Sequence, residues 1–180
     1  MKHIAIFATG GGSNAQKIIE HFENHETIKV SLIISNKKTA GVLEKAAVKN
    51  IPTLIINREE FYQTENIILK LDAFQIDFIV LAGFLWLMPT YMVKIYAKKV
   101  VNIHPALLPK YGGKGMYGMN VHRAVHTAKE AESGMTIHYV NEHYDEGGII
   151  FQAKCSLLLT DSPDDIACLL YTSDAADDLL

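Results

Sequence analysis

Asn102 and His104 fall in one short run and carry side chains that can hold and move protons. They close the apolar stretch that starts at Val100, and Pro105 follows at once, opening a segment with no sustained period. Side chains alternate along a strand, so Asn102 and His104 point to the same side while Ile103 points away. An amide and an imidazole therefore converge at a strand end, where open parallel sheets bind their ligands. Such a pair can hydrogen-bond to an oxygen that is becoming negative and can relay a proton. Taken singly, Asn102 reads as a turn cap and His104 as a satisfied histidine; their shared face favours chemistry.

The second candidate is the turn Thr9-Gly10-Gly11-Gly12-Ser13-Asn14, between an apolar run and a segment of helical period. Its backbone N–H groups and the positive end of the following helix can face an anion, and a phosphate is the natural guest. Gly10, Gly12 and Ala15 also fit the spacing G-x-G-x-x-A of a dinucleotide site. An NAD site wants Asp or Glu after the second strand, whereas Ser35, Asn36, Lys37 and Lys38 stand there. The two lysines keep NADP open as a rival, although Ser13 and Asn14 suit a small terminal phosphate better.

Asp145 lies in the turn Tyr144-Asp145-Glu146-Gly147-Gly148, where an aspartate is ordinary turn chemistry. Spacing alone does not bring it to His104. His122 and His126 stand four apart, enough to share a helix face, but Arg123, Ala124 and Val125 between them lack the glutamate of a zinc-protease helix, so no metal is expected. His138 alternates with Thr136 on a predicted strand and supports the site or the core.

The elements that must position these residues alternate short β-branched runs with helical segments. That is the pattern of an α/β fold, a single doubly wound, mostly parallel sheet with helices on both faces. Strands are predicted at 2–8, 30–35, 53–56, 78–82, 100–104, 135–140 and 149–156, and helices at 14–22, 41–49, 61–74 and 90–96, with a helix start at Ser162, Pro163 and Asp165. Glycines and prolines across 105–120 make that stretch a loop, and 112–119 within it a candidate lid. The tight Pro-rich turn suggests a cis Leu108–Pro109 bond.

The chain has 180 residues, 49% hydrophobic, which bounds the reading to one compact domain. A net charge of -3 with interspersed signs offers no basic stripe for nucleic acid. The longest apolar stretch, 78–88, falls short of the roughly 20 residues that span a bilayer, and no membrane role is expected. Cys155 and Cys168 read as reduced thiols in a cytoplasm.

Set in order, Gly10-Gly11-Gly12-Ser13-Asn14, Val80-Leu81-Ala82-Gly83-Phe84, Asn102-Ile103-His104-Pro105-Ala106-Leu107-Leu108-Pro109-Lys110-Tyr111, and Thr136-Ile137-His138-Tyr139-Val140 followed by Asp145 resemble the glycinamide ribonucleotide formyltransferases. The resemblance covers about residues 1–167. It implies a formyltransferase fold, Rossmann-like, and transfer of a formyl group from 10-formyltetrahydrofolate, as co-substrate, to the amine of 5-phosphoribosylglycinamide, without a metal. It implies that Gly12, Ser13 and Asn14 hold the substrate phosphate, that Arg58, Leu85, Trp86, Leu87, Met88 and Asn102 contact the folate, and that Asn102, His104 and Asp145 are catalytic. In that scheme the Asn102 amide N–H and protonated His104 meet the tetrahedral oxyanion, and Asp145 raises the pKa of His104 towards working pH. Formyltetrahydrofolate hydrolases and the catalytic domain of methionyl-tRNA formyltransferase share the Asn-x-His chemistry and are the alternatives, along with a non-catalytic module that binds NADP or phosphate. Small molecules are the expected partners; oligomeric state is left open. Beyond Ala167 the resemblance degrades, and 168–180 reads as an atypical tail of non-native character in which Asp174 only mimics an acidic residue that would bind substrate.

Overall fold

The structure is a computed structural model, and it describes residues 1–172. Seven strands form one sheet in the order β3-β2-β1-β4-β5-β6-β7. The chain divides into two compact units, Met1–Val101 and Asn102–Leu180.

In the first unit β1 (Lys2–Phe7) pairs in parallel with both β2 (Ile28–Ser35) and β4 (Phe78–Leu81), and β2 pairs in parallel with β3 (Thr53–Ile55). A strand with parallel neighbours on both sides is covered on both faces, which is why Ile4, Ala5, Ile6 and Phe7 are apolar in succession and all buried. Helix α1 (Ser13–Phe22) buries Ala15 and Ile19, and α2 (Gly41–Val48) buries Val42 and Ala46. The single helix expected over 61–74 is two, α3 (Arg58–Tyr62) and α4 (Asn66–Ala73). Thr64 causes the break: its hydroxyl donates to the Glu60 carbonyl and accepts from Asn66 N–H, competing with the helical ladder. Asn57 caps α3 by accepting from Glu60 N–H at 2.8 Å. Helix α5 (Thr90–Ile95) leads to β5 (Val100–His104).

In the second unit α6 (Met119–Thr127) follows the glycine-rich loop, and β6 (Glu132–Tyr139) pairs antiparallel with β7 (Ile149–Ser156). Ladder pairing from Glu132 opposite Ser156 starts β6 earlier than its hydrophobic pattern indicates. Helix α7 (Pro163–Thr172) begins with a reciprocal cap: Asp165 N–H donates to Ser162 Oγ, and Ser162 N–H to the Asp165 carboxylate. Of the segment set apart as atypical, 168–172 continues this helix; 173–180, including Asp174, lies outside the described residues. Ala106, Val121, Val125 and Ile166 form the core here. The Leu108–Pro109 bond is cis, as the turn suggests.

His122 of α6 is buried beside this core, and its Nδ1 has no hydrogen-bond partner among the described residues. Burial lowers its pKa from the ordinary 6.5, and the opposing pull of Asp164 does not reverse this. The folded chain therefore holds the ring neutral where the unfolded chain would protonate it. Its contribution to stability is complete above about pH 6.5 and is lost as pH falls, because the unfolded state then binds the extra proton. The urea midpoint of the wild type should drop more steeply between pH 7 and 5 than that of His122→Leu. Equal pH slopes for the two proteins would show that His122 has no part in acid sensitivity.

Candidate functional site

In the second unit the carboxylate of Asp145 gathers the residues singled out by type and spacing. Oδ1 accepts from Asn102 Nδ2 at 3.1 Å and lies 3.5 Å from Nε2 of His138. Oδ2 accepts from Gly113 N–H at 2.9 Å and lies 3.6 Å from Nδ1 of His104. Asn102 and His104 thus do share a face of β5, and both reach one aspartate 43 and 41 residues further along the chain. A cleft of about 550 Å³ borders the cluster, lined by Leu108, Gly113, Asp145 and Gly147 among others.

The elements explain this convergence. Thr136 donates to the Ala106 carbonyl at 2.6 Å and accepts from Leu108 N–H, and Gln152, opposite it on β7, donates to both Thr136 Oγ1 and the Leu108 carbonyl. Those bonds pin the Pro-rich loop that leaves His104. A register shift between Ile137 and His138 pairs His138 with Ile149, so Ile150 is the extra residue of a bulge, a device that re-aims a neighbouring side chain. Gly147 packs so closely on the Tyr139 carbonyl that a Cβ would overlap it, which fixes the turn carrying Asp145 against β6. Gln152 and Gly147 escape notice in the sequence, because neither spacing nor residue type marks them. The alternation of Thr136 with His138 is the one available signal for a supporting face.

Protonation follows from fixed acceptors. Nε2 of His104 is 2.8 Å from the Tyr111 carbonyl, which can only accept, so Nε2 carries a hydrogen. Burial is the largest influence on this ring and pushes its pKa below the usual imidazole value; Asp145 and the Tyr111 carbonyl pull upward without reversing it, and His138 adds to the lowering. Asp145 thus pulls the His104 pKa upward, as expected, while desolvation of the imidazolium keeps the net direction downward. Burial also pushes Asp145 up, but the imidazoles of His138 and His104 and the Gly113 N–H outweigh it and hold the carboxyl below its usual range. The Asn102 amide nitrogen lies 3.1 Å from both Asp145 Oδ1 and His138 Nε2.

In the first unit Gly12, at φ +70°, ends the turn after β1, and Ser13 opens α1. A Cβ at Gly12 would meet Val42, whereas nothing stands over Gly10 or Gly11, leaving their backbone open to a ligand. No acidic residue occupies the first turn of α1 to oppose an anion. Arg58 is an exposed cation whose guanidinium lies over the rings of Tyr62 and Trp86, at 5.7 and 5.8 Å. Trp86 is seated by Phe61 at 5.6 Å and Phe84 at 6.0 Å, and Tyr62 OH donates to the Leu87 carbonyl at 2.9 Å. Leu85 N–H donates to Thr9 Oγ1, while Met88 is buried in the core. A cleft of about 390 Å³ lies beside Arg58, Glu59, Tyr62 and Gln63.

Among the described residues, no cluster of His, Cys, Asp or Glu is placed to hold a metal ion, and no helix is long and apolar enough to cross a membrane. Hydrogen-bond donors thus gather beside a buried carboxylate at the end of a strand in a mostly parallel sheet, the place where α/β folds bind ligands. The chain belongs to the formyl transferase family, whose profile matches residues 2–173. It is 39% identical over 172 residues to the chloroplastic phosphoribosylglycinamide formyltransferase of Arabidopsis thaliana, with 92% of this chain and 59% of that protein covered. It is 34% identical over 180 residues to the phosphoribosylglycinamide formyltransferase of Escherichia coli, covering 97% of this chain and 82% of that one. The crystal structure of phosphoribosylglycinamide formyltransferase from Anaplasma phagocytophilum superimposes with a TM-score of 0.86 at 30% identity, covering 97% of this chain and 81% of that one. The chain spans 59% of the Arabidopsis protein and 55% of its Vigna unguiculata counterpart, little more than half of these plant relatives.

Replacing Asp145 by Asn removes a group that pulls the His104 pKa upward and leaves the burial that pushes it down. The His104 ring, followed by NMR against pH, should titrate at lower pH in Asp145→Asn than in the wild type. A midpoint that stays put or rises would take Asp145 out of the electrostatics of His104.

Proposed function

We propose that this protein transfers a formyl group from 10-formyltetrahydrofolate to the amine of 5-phosphoribosylglycinamide, a step of purine biosynthesis in the cytoplasm. The observation that carries the reading is the Asp145 carboxylate holding Asn102 and His104 at one point beside a cleft. Named relatives with the same activity at 34–39% identity support it.

The neutral amine attacks the formyl carbon, a C–N bond forms, and the carbonyl electron pair moves onto oxygen. Collapse restores the carbonyl and breaks the bond to N10 of the folate; the attacking nitrogen loses one proton and N10 gains one. The Nε2–H of His104, now given to the Tyr111 carbonyl, is the donor offered to the formyl oxygen. Negative charge on that oxygen favours an imidazolium, and Asp145, 3.6 Å from Nδ1, compensates the added charge. The proton shed by the attacking nitrogen, relayed through water, makes the ring an imidazolium, and Nε2 gives a proton to the leaving N10. Gly12, Ser13 and Asn14 receive the substrate phosphate at the start of α1. Arg58 meets a folate carboxylate, and the backbone of Leu85, Trp86, Leu87 and Met88 meets the pterin. No step requires a metal.

Steady-state formyl transfer should fall by at least about 100-fold in Asn102→Ala and in His104→Ala, with phosphoribosylglycinamide binding retained. Near wild-type rates would refute the assignment. In a thermal-shift comparison of phosphoribosylglycinamide, folate and NADP, the first two should raise the melting temperature. Stabilisation by NADP alone would replace this reading with a dinucleotide site.

A further inference from the structure

Tyr111 stands apart in the loop that follows β5: its backbone sits at φ +56°, a left-handed conformation that a bulky side chain rarely adopts. Such a residue keeps that conformation only where its surroundings impose it. Two fastenings do so here. The ring packs against the core of Ala106, Val121, Val125 and Ile166, and the phenol donates to Oε1 of Glu130 at 2.8 Å. Lys110 Nζ donates to the same oxygen, also at 2.8 Å, so two successive loop residues are tied to one carboxylate in the turn between α6 and β6. Lys110 and the phenol hold the Glu130 carboxyl below its usual range, while burial and Glu130 push the phenol above its own. Near neutral pH the one is an anion and the other a donor, and the bond has a fixed sense.

The main chain of the same residue completes the link: the Tyr111 carbonyl takes the Nε2 hydrogen of His104 at 2.8 Å. A neutral imidazole has one ring hydrogen, and Asp145 offers a charged acceptor on the other side, 3.6 Å from Nδ1. That separation is too long for a good hydrogen bond, and the carbonyl holds the hydrogen. Were the carbonyl to withdraw, the carboxylate would draw the hydrogen to Nδ1 and leave a lone pair at Nε2, where the formyl oxygen needs a donor.

We propose that Glu130 is a positioning residue for His104: by holding the Tyr111 phenol it keeps the Tyr111 carbonyl on Nε2, so that the ring meets the formyl oxygen as a donor. This rests on the formyl-transfer reading above and adds to it a side chain two contacts removed from the reacting atoms. As the formyl oxygen gains charge it becomes the stronger acceptor and takes over the hydrogen that the neutral carbonyl has held.

The test compares Tyr111→Phe, which removes one oxygen and keeps the packed ring, with Glu130→Ala and the double variant, all in the full chain. Nitrogen NMR of the His104 ring near neutral pH should show the hydrogen on Nε2 in the wild type and a shift of population to Nδ1 in both single variants. The ring should also titrate at lower pH in them, because the carbonyl's upward pull is weakened while burial lowers it still and Asp145 and His138 face it as before. In formyl transfer kcat should fall by about tenfold in each, with KM for both substrates nearly unchanged, and the double variant should lose no more than either single one, since all three break the same link. A wild-type hydrogen on Nδ1, variants whose ring hydrogen stays on Nε2, an unchanged kcat, or losses that multiply in the double variant would each overturn the proposal. Should Glu130→Ala fail to fold, Tyr111→Phe decides alone, by ring and kcat together. A wild-type chain that transfers no formyl group while its ring responds as described would count against the proposed activity and leave the link from Glu130 to His104 in place.

Discussion

Everything at the candidate site depends on how one carboxylate is kept charged where little water reaches it. A buried charge is expensive unless each lone pair finds a partner. Asp145 takes hydrogens from an amide on β5 and a backbone N–H of the glycine-rich loop, with imidazoles of β5 and β6 at 3.6 and 3.5 Å. Its backbone sits at φ +57°, a left-handed conformation that aspartate tolerates better than most residues. The turn glycine Gly147, flush against β6, lets the loop approach closely enough for that conformation to point the carboxylate inward. Loss of the charge would leave four groups arranged around nothing.

Backbone carbonyls, in turn, decide how the two histidines behave. The Tyr111 carbonyl selects a hydrogen at Nε2 of His104, and the Tyr139 carbonyl selects one at Nδ1 of His138. The nitrogens left to face Asp145 are therefore Nδ1 of one ring and Nε2 of the other. Side-chain chemistry here is set by main-chain geometry, which residue type alone does not encode.

That distinction accounts for what could be read from the sequence. Alternation along β5 placed Asn102 and His104 on one side, and both do reach Asp145. Continuous apolar runs announced the buried parallel strands, and the strand-to-helix glycines announced the turn before α1. The break between α3 and α4 went unread because a threonine in a helical pattern gives no sign of whether its hydroxyl will bond to the backbone. The pull of Asp145 on His104 can be guessed from residue types, whereas the degree of burial that opposes it emerges only when the fold closes. Gln152 and Gly147 act through contacts with residues distant in the chain or through the absence of a side chain, and periodicity registers neither.

Trp86 and Tyr62 alter what Arg58 can do. A long cationic side chain ordinarily gives up much rotational freedom when it meets an anion. Here the guanidinium lies over two aromatic rings, at 5.7 and 5.8 Å, so part of that ordering accompanies folding. A lysine at position 58 would keep the charge but lose the flat surface that stacks, and its ammonium would have to be immobilised anew by every ligand that binds.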